Sequence, residues 1–321
     1  MDLRLAVYQL ASANALDARQ TRQLQDVAGF QREPARLAYW LPRGVAVLGA
    51  ALLGMGLIFW VAANWEELGR MGRFALLQGA FAAACVGAFA VPTVRAPLLL
   101  VALLAIGGLF AYFGQTYQTG ADPWQLFAVW AALALPLCLV ARSDALWTPW
   151  MLILSTGATL WIQAHTHHSW HVESADLHIF VMGWLAVLLS CALVSPLLAR
   201  WTGAGSWALR LGLVLATILI TGSAVSALFG SEIESPYWAG LGLLAVAAAL
   251  LSTSKFFDVF GLSAVTLGLN TLLVGGLTHW LFNGGDDGDE VVRLIVLGLI
   301  AAVLLALSVQ GILWRGRKEA P

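Results

Sequence analysis

The chain has 321 residues, of which 60% are hydrophobic and only 11% are charged. A soluble domain carries about 25% charged residues, and a mean hydropathy of +0.80 over this length cannot be a solvated shell around one core. The composition excludes a soluble enzyme, a nucleic-acid-binding domain and a secreted disulfide scaffold, and it places the chain in a bilayer.

The net charge is −1, from 17 basic and 18 acidic residues. No global basic field exists for nucleic acid, so the partners expected are membrane lipid and a small-molecule solute. The basic residues are 15 Arg against 2 Lys, a usage common in GC-rich bacterial genomes. Cys85, Cys138 and Cys191 each sit in an apolar run without a CxxC pairing, so they read as small buried apolar residues.

Residues 1–43 come first and are polar-mixed. Leu3, Ala6, Val7 and Leu10 form one helical stripe, and Leu24, Val27 and Phe30 form a second. Asn14 breaks the two and Pro34 ends the second. This predicts a cytoplasmic amphipathic segment of two short helices, capping the bundle or lying in the headgroup layer. Cleavable signal-peptide features are not visible, because the first apolar run starts only after residue 43.

Residues 44–314 are predicted to form a transmembrane bundle of ten helices, followed by a cytoplasmic tail, 315–321. A helix needs about 20 apolar residues to cross the hydrocarbon. Charged residues cut the chain into charge-free runs at 44–65, 74–94, 96–121, 123–141, 145–172, 177–199, 211–231, 235–254, 259–285 and 294–314. Strand alternation is absent, which argues against a barrel. The fold class expected is therefore all-α, a polytopic integral membrane helical bundle.

Basic residues mark the even loops. Arg95 lies in the second loop, Arg142 in the fourth, Arg200 and Arg210 in the sixth, and Lys255 in the eighth. The N-terminal segment and the tail are also basic. Loop one breaks the alternation with Arg70 and Arg73, which Glu66 and Glu67 precede and can pair locally. The positive-inside rule then places both termini in the cytoplasm of a bacterial cell, with the chain multi-pass in its inner membrane. Trp40, Trp65, Trp124, Trp147, Trp201, Trp207, Trp238, Trp280 and Trp314 fall near run ends, as an interfacial belt would. Trp60, Trp130 and Trp184 lie deeper and are expected between helices.

The middle of every run lacks Asp, Glu, Lys and Arg, which disfavours a proton-coupled carrier with a mid-membrane carboxylate. Asn270 enters the ninth run, either as interhelical glue or as a pathway residue. Gly261, Gly268 and Gly275 share one face of that helix and predict a close-packing surface.

Two motifs fall in the odd loops. Ala62-Ala63-Asn64-Trp65-Glu66-Glu67-Leu68-Gly69-Arg70 ends the first apolar run. Gly114-Gln115-Thr116-Tyr117 leads through Gly120 and Asp122-Pro123 to Leu126-Phe127-Ala128-Val129-Trp130 and Pro136. The first motif, followed at this spacing by the second, resembles an uncharacterised prokaryotic membrane family, domain of unknown function 2157. The resemblance covers roughly residues 5–150. It implies a polytopic membrane protein and supplies no activity. The family's characteristic residues fall here on Asn64, Trp65, Gln115, Tyr117, Gly120, Asp122, Trp130 and Pro136.

Capping explains part of this pattern. Asn64 with Glu67 fits an N-cap and acidic N3, Asp122-Pro123 fits N-cap and N1, and Gly120 fits a turn. The alternative is a polar ligand-binding patch on the periplasmic side, built from Asn64, Trp65, Glu67, Arg70, Arg73, Gln115, Tyr117, Asp122 and Trp130. In that reading Gln115 faces the bundle, and the first helix lies near the third and fourth. The fifth loop offers His165, His168 and His171 at a spacing of three, weak candidates for zinc or copper. The acidic stretch around Asp286, Asp287, Asp289 and Glu290 is too short for an EF-hand loop.

No Ser-His-Asp, P-loop, HExxH or paired-carboxylate arrangement is present, and no cofactor motif, so no catalytic activity and no cofactor are expected. The leading expectation is a permease or carrier for a small neutral or amphiphilic solute. The second is a non-transporting membrane sensor or assembly protein using the periplasmic-side patch. A polar cavity crossing the midplane would favour the carrier, and a closed apolar midplane the sensor.

Overall fold

A computed structural model describes residues 3–27, 35–64, 66–117, 120, 122–166, 172–230, 232–283 and 290–319. All regular structure among them is helical. Two short helices, α1 (Leu3–Ala13) and α2 (Ala18–Val27), precede the bundle. The bundle holds α3 (Ala35–Ala63), α4 (Gly69–Ala90), α5 (Arg95–Tyr117), α6 (Pro123–Ala141), α7 (Asp144–His165) and α8 (Leu177–Leu193). After the single turn α9 (Ala199–Thr202) come α10 (Ser206–Ser226), α11 (Ser235–Leu251), α12 (Val259–Phe282) and α13 (Glu290–Glu319).

Each of the ten expected runs therefore forms a helix. Among the described residues nine are long and apolar enough to cross a membrane, and α11, with 17 residues, is the short one. At about 1.5 Å per residue α11 reaches roughly 25 Å. Helix ends overshoot the run ends. α3 starts at Ala35 and passes Pro42 and Arg43, and α13 continues through Arg315 and Arg317. Charges mark where the hydrocarbon stops, whereas backbone hydrogen bonds continue into water. Arg43 stays in its helix by donating to the Tyr39 carbonyl at 2.9 Å and lying 3.6 Å over the Tyr39 ring.

The predicted break at Asn14 is present. Its side-chain amide donates to the Leu10 carbonyl at 2.9 Å, and Ala15 takes a positive φ of 45°. A capping box starts α2: Asp17 Oδ1 accepts from the Gln20 amide at 2.7 Å, and Gln20 Oε1 accepts from the Asp17 amide at 3.1 Å. The buried face of α1 runs through Val7 and Ala11, while Leu10, expected in the stripe, is exposed.

The helices pack as a ribbon. α3 and α4 lie on α5, α5 on α6, and α6 on α7; α7, α8 and α10 form a triangle; α10, α11 and α12 form a second; α13 lies on α12. Gly261, Gly268 and Gly275 of α12 sit against Leu213 and Thr217 of α10 and Leu228 just beyond it. The glycine face is thus the expected close-packing surface, with α10 as its partner.

Contacts between loops divide the molecule into two faces. On one face Tyr112 bonds to Arg70, Trp124 meets His165, Ser174 bonds to Glu234, and His279 bonds to the Leu228 carbonyl. These contacts join loops one, three, five, seven and nine in turn. On the other face Arg142 bonds to the Arg200 carbonyl, Arg210 to Asp258, and Arg315 to the Ser252 carbonyl. These join loops four, six and eight to the end of α13. α11 begins beside Ser174, which accepts from the Ser235 amide at 2.9 Å, and ends at Ser252. Short as it is, it runs from one face to the other, so the start of α3 and the end of α13 share the even-loop face.

Six of the tryptophans expected in the belt are exposed, and two tryptophans depart from expectation. Trp40, Trp201, Trp207, Trp238, Trp280 and Trp314 are exposed, as interfacial anchors should be. Trp147, expected in the belt, is fully buried and donates to the Thr202 carbonyl at 2.9 Å. Trp60, expected between helices, is exposed. Position along the helix sets depth, but rotation about its axis decides burial, and α3 leaves Trp60 on the rim of an open groove against α4 and α5.

Candidate functional site

The odd-loop end of α3, α4 and α5 carries the expected patch. Its centre is Tyr112, only 2% exposed, packed with Val61 and Leu77. The Tyr112 hydroxyl donates to the Arg70 carbonyl at 3.1 Å, and Phe74 meets its ring edge-on at 4.5 Å. One turn further along α5, Tyr117 packs on Phe113 at 4.7 Å. The Arg70 guanidinium lies 4.9 Å from the Tyr117 ring, and that of Arg73 lies 5.8 Å from the Tyr112 ring, both within cation–π range. Arg70 and Tyr117 are exposed, so the patch presents a planar cation beside a phenol at the helix ends.

The structure brings Arg70, Arg73 and Tyr117 together and disperses the other predicted residues. Asn64 does not cap α4. Its amide donates to the Trp60 carbonyl at 2.8 Å, so it finishes α3 instead, because a turn intervenes before α4 begins at Gly69. Glu67 is exposed in that turn. Asp122 does occupy the N-cap position of α6 with Pro123 next, although its side chain accepts no bond from the first turn. Gly120 takes φ +67°, the turn conformation expected of it. Trp65 lies outside the described residues.

Gln115 was expected to face the bundle and is exposed. The helix period gives the reason. At roughly 100° per residue Tyr112, Phe113, Thr116 and Tyr117 share one sector, and that sector is turned toward α4. Gln115 falls on the other side. The neighbourhood of the first helix is also narrower than expected: among the described residues α3 packs on α5 and makes no extended contact with α6.

Trp130 belongs to a different place. Its indole donates to the Leu103 carbonyl at 2.9 Å, in the middle of the α5–α6 seam. A Cβ at Gly107 would come within 2.3 Å of that ring. Gly107 thus makes the slot in which the indole lies, and Trp130 is a packing residue.

His165 stacks on Trp161 at 4.6 Å, and its Nδ1 pairs with the Trp161 carbonyl at 2.8 Å. His168 and His171 lie outside the described residues, as do Asp286, Asp287 and Asp289. Asn270 donates to Ser308 Oγ at 2.9 Å, and Ser308 donates to the Leu304 carbonyl. This clasp joins α12 to the peripheral α13, which supports the interhelical-glue reading. On the even-loop face, Asp258 starts α12 by accepting from the Gly261 amide at 2.8 Å, while Arg210 grips it through Nε and Nη2. Burial pushes the Asp258 carboxyl up, but Arg210 and the Gly261 N–H together hold it below its ordinary value.

Tyr112 and Phe74 were not singled out in the sequence, where each is one aromatic among many on an apolar helix. A polar stripe on α7 was also missed. Thr156, Thr159, Gln163 and Thr166 recur at three- and four-residue intervals, with Ser155 beside the first. They line a groove against α10.

Neither a curated protein nor a solved structure matches the chain. A family model does match, over residues 8–147. That stretch includes the arginine–tyrosine patch and ends early in α7, before the polar stripe. Residues 8–147 are thus similar to the family described as Predicted membrane protein (DUF2157), over nearly the same stretch as the resemblance read from the two motifs.

Proposed function

We propose that the protein is a non-transporting, non-catalytic sensor or assembly protein of the bacterial inner membrane, with its even-loop face and both termini in the cytoplasm. The observation that carries this reading is the filled midplane. Ala158, Val187 and Ala216 meet at the centre of the α7–α8–α10 triangle, with Leu154, Leu188 and Leu219 around them. Met151 is fully buried on the same side of α7. Close-packed side chains leave a solute no polar route there. Asn270, the residue that the sequence offered as a pathway candidate, is committed to Ser308 at the bundle's edge.

The contact element in this reading is the Arg70–Tyr117 pair. An exposed guanidinium over a tyrosine keeps outward N–H donors for a lipid phosphate or an acidic partner segment at the periplasmic interface. The basic even-loop face supports the orientation. Solute flux tests the reading. Vesicles reconstituted with the full chain and loaded with glycerol, an amino acid or a sugar should release them at the rate of empty vesicles. Saturable, protein-dependent release of any of them would establish a carrier instead.

A further inference from the structure

The groove between α7 and α10 has a volume of about 350 Å³. Among the described residues its polar lining is hydroxyl and amide only: Ser155, Thr156, Thr159 and Gln163 face Ser223 and Ser226. Phe180, Ile218 and Leu219 supply apolar wall. Ile218 is 63% exposed and Gly222 is exposed, so the groove opens on the flank of the bundle, where acyl chains would lie.

Most of these hydroxyls are already bonded. Thr156 donates to the Leu152 carbonyl, Thr159 to the Ser155 carbonyl and Ser226 to the Gly222 carbonyl, at 2.8, 2.9 and 3.0 Å. Ser223 donates to the Leu219 carbonyl and accepts from the Trp184 indole at 3.1 Å. Ser155 differs. It is 5% exposed, and its Oγ has no hydrogen-bond partner among the described residues. A buried hydroxyl left unpaired is uncommon in proteins, and in hydrocarbon no water is at hand to pair it.

Depth narrows the ligand. Ser155 lies halfway along α7, about 16 Å from either end at 1.5 Å per residue. A charged headgroup does not sit at that level, and no described residue beside Ser155 would neutralise one. A carbonyl carried by a lipid without a charged headgroup does reach it. We propose that this groove binds a neutral, carbonyl-bearing lipid, whose carbonyl oxygen accepts from Ser155 Oγ and whose chain lies along Ile218. Diacylglycerols and prenylated quinones both have this chemistry. The inference goes beyond the sensor reading and is read out by binding, so either can fail without the other.

Gly222 provides the discriminating variant. A Cβ built there meets nothing within 4 Å, so the side chain of Gly222→Leu starts into the groove from open space. The full chain in detergent is incubated in turn with dioleoylglycerol, with a decyl-substituted benzoquinone and with dioleoylphosphatidylglycerol, and retained lipid is counted by intact-complex mass measurement. The expected result is one equivalent of a neutral lipid, retained in preference to the anionic one; whichever neutral lipid is kept identifies the source. Ser155→Ala should lower its retention about fivefold, and Gly222→Leu at least tenfold, with the unfolding temperature of both variants within a few degrees of the parent. Equal retention of the anionic lipid, no saturable retention of either neutral lipid, or full retention by a folded Gly222→Leu chain would each overturn the proposal.

Discussion

The Tyr112 hydroxyl donates to the Arg70 carbonyl across 3.1 Å, joining the end of α5 to the first turn of α4. The two residues lie far apart in sequence, and their bond closes the odd-loop end of the α3–α4–α5 cluster. Tyr112→Phe keeps the buried ring and removes one hydrogen bond, a loss of about 1 kcal/mol. Tyr112→Ala also empties the site and should cost about 3–5 kcal/mol. Thermal unfolding in detergent should therefore rank the parent first, Tyr112→Phe close behind and Tyr112→Ala far below. Equal loss in both variants would mean that the hydroxyl, not the ring, carries the contact.

Gly107 and Trp130 form a matched pair. A methyl at Gly107 overlaps the indole, and the indole is held in place by its bond to Leu103. Gly107→Ala should cost about 1–3 kcal/mol through overpacking. Trp130→Leu removes the obstructing ring, so in the double variant the added methyl should cost much less than it does alone. A double-mutant cycle with no coupling would remove Gly107 as the slot for Trp130.

Asp258 predicts an acid dependence. Its carboxyl is held below the ordinary 3.8, so the charged form is favoured in the folded chain. A depressed carboxyl contributes stability above its unfolded pKa and loses it as pH falls through the folded one. Asp258→Asn should thus be less stable than the parent near neutrality, by about 1 kcal/mol for a partly exposed bridge and cap. The gap should shrink once pH falls below 3.8. A gap that widened on acidification would contradict the assignment of Arg210 as the group holding the charge.

The Asn270–Ser308 clasp predicts a local effect. Asn270→Leu should cost less than about 2 kcal/mol, the upper end for polar contacts between membrane helices. It should raise protease sensitivity at the ends of α13 while leaving the α10–α12 seam intact. Loss of the whole fold on this change would make Asn270 a core residue and not an edge fastener.

Topology can be checked with fusions. A reporter active only in the cytoplasm should be active after Lys318 and after Ser252, and silent after Gly120 and after Glu234. The Glu234 and Ser252 pair tests α11 directly, because opposite signals require that this 17-residue helix cross.

The sequence by itself determined the class, the apolar runs that become the bundle's helices, the alternation of basic and neutral loops and the glycine face of α12. These are one-dimensional properties. The length of an apolar run, its flanking charges and a seven-residue spacing need no knowledge of neighbours. The tertiary structure decided everything that depends on rotation about a helix axis or on distant partners. It turned Gln115 outward while Tyr112, three residues earlier, went into the core. It gave Asn64 to the helix before it, carried Trp130 into the α5–α6 seam and buried Trp147 against Thr202. In an apolar helix the hydrophobic pattern is nearly uniform around the axis, so it does not announce which face meets protein and which meets lipid. The polar stripe from Ser155 to Thr166 was written in the chain, but only the packing of α10 against it made a groove.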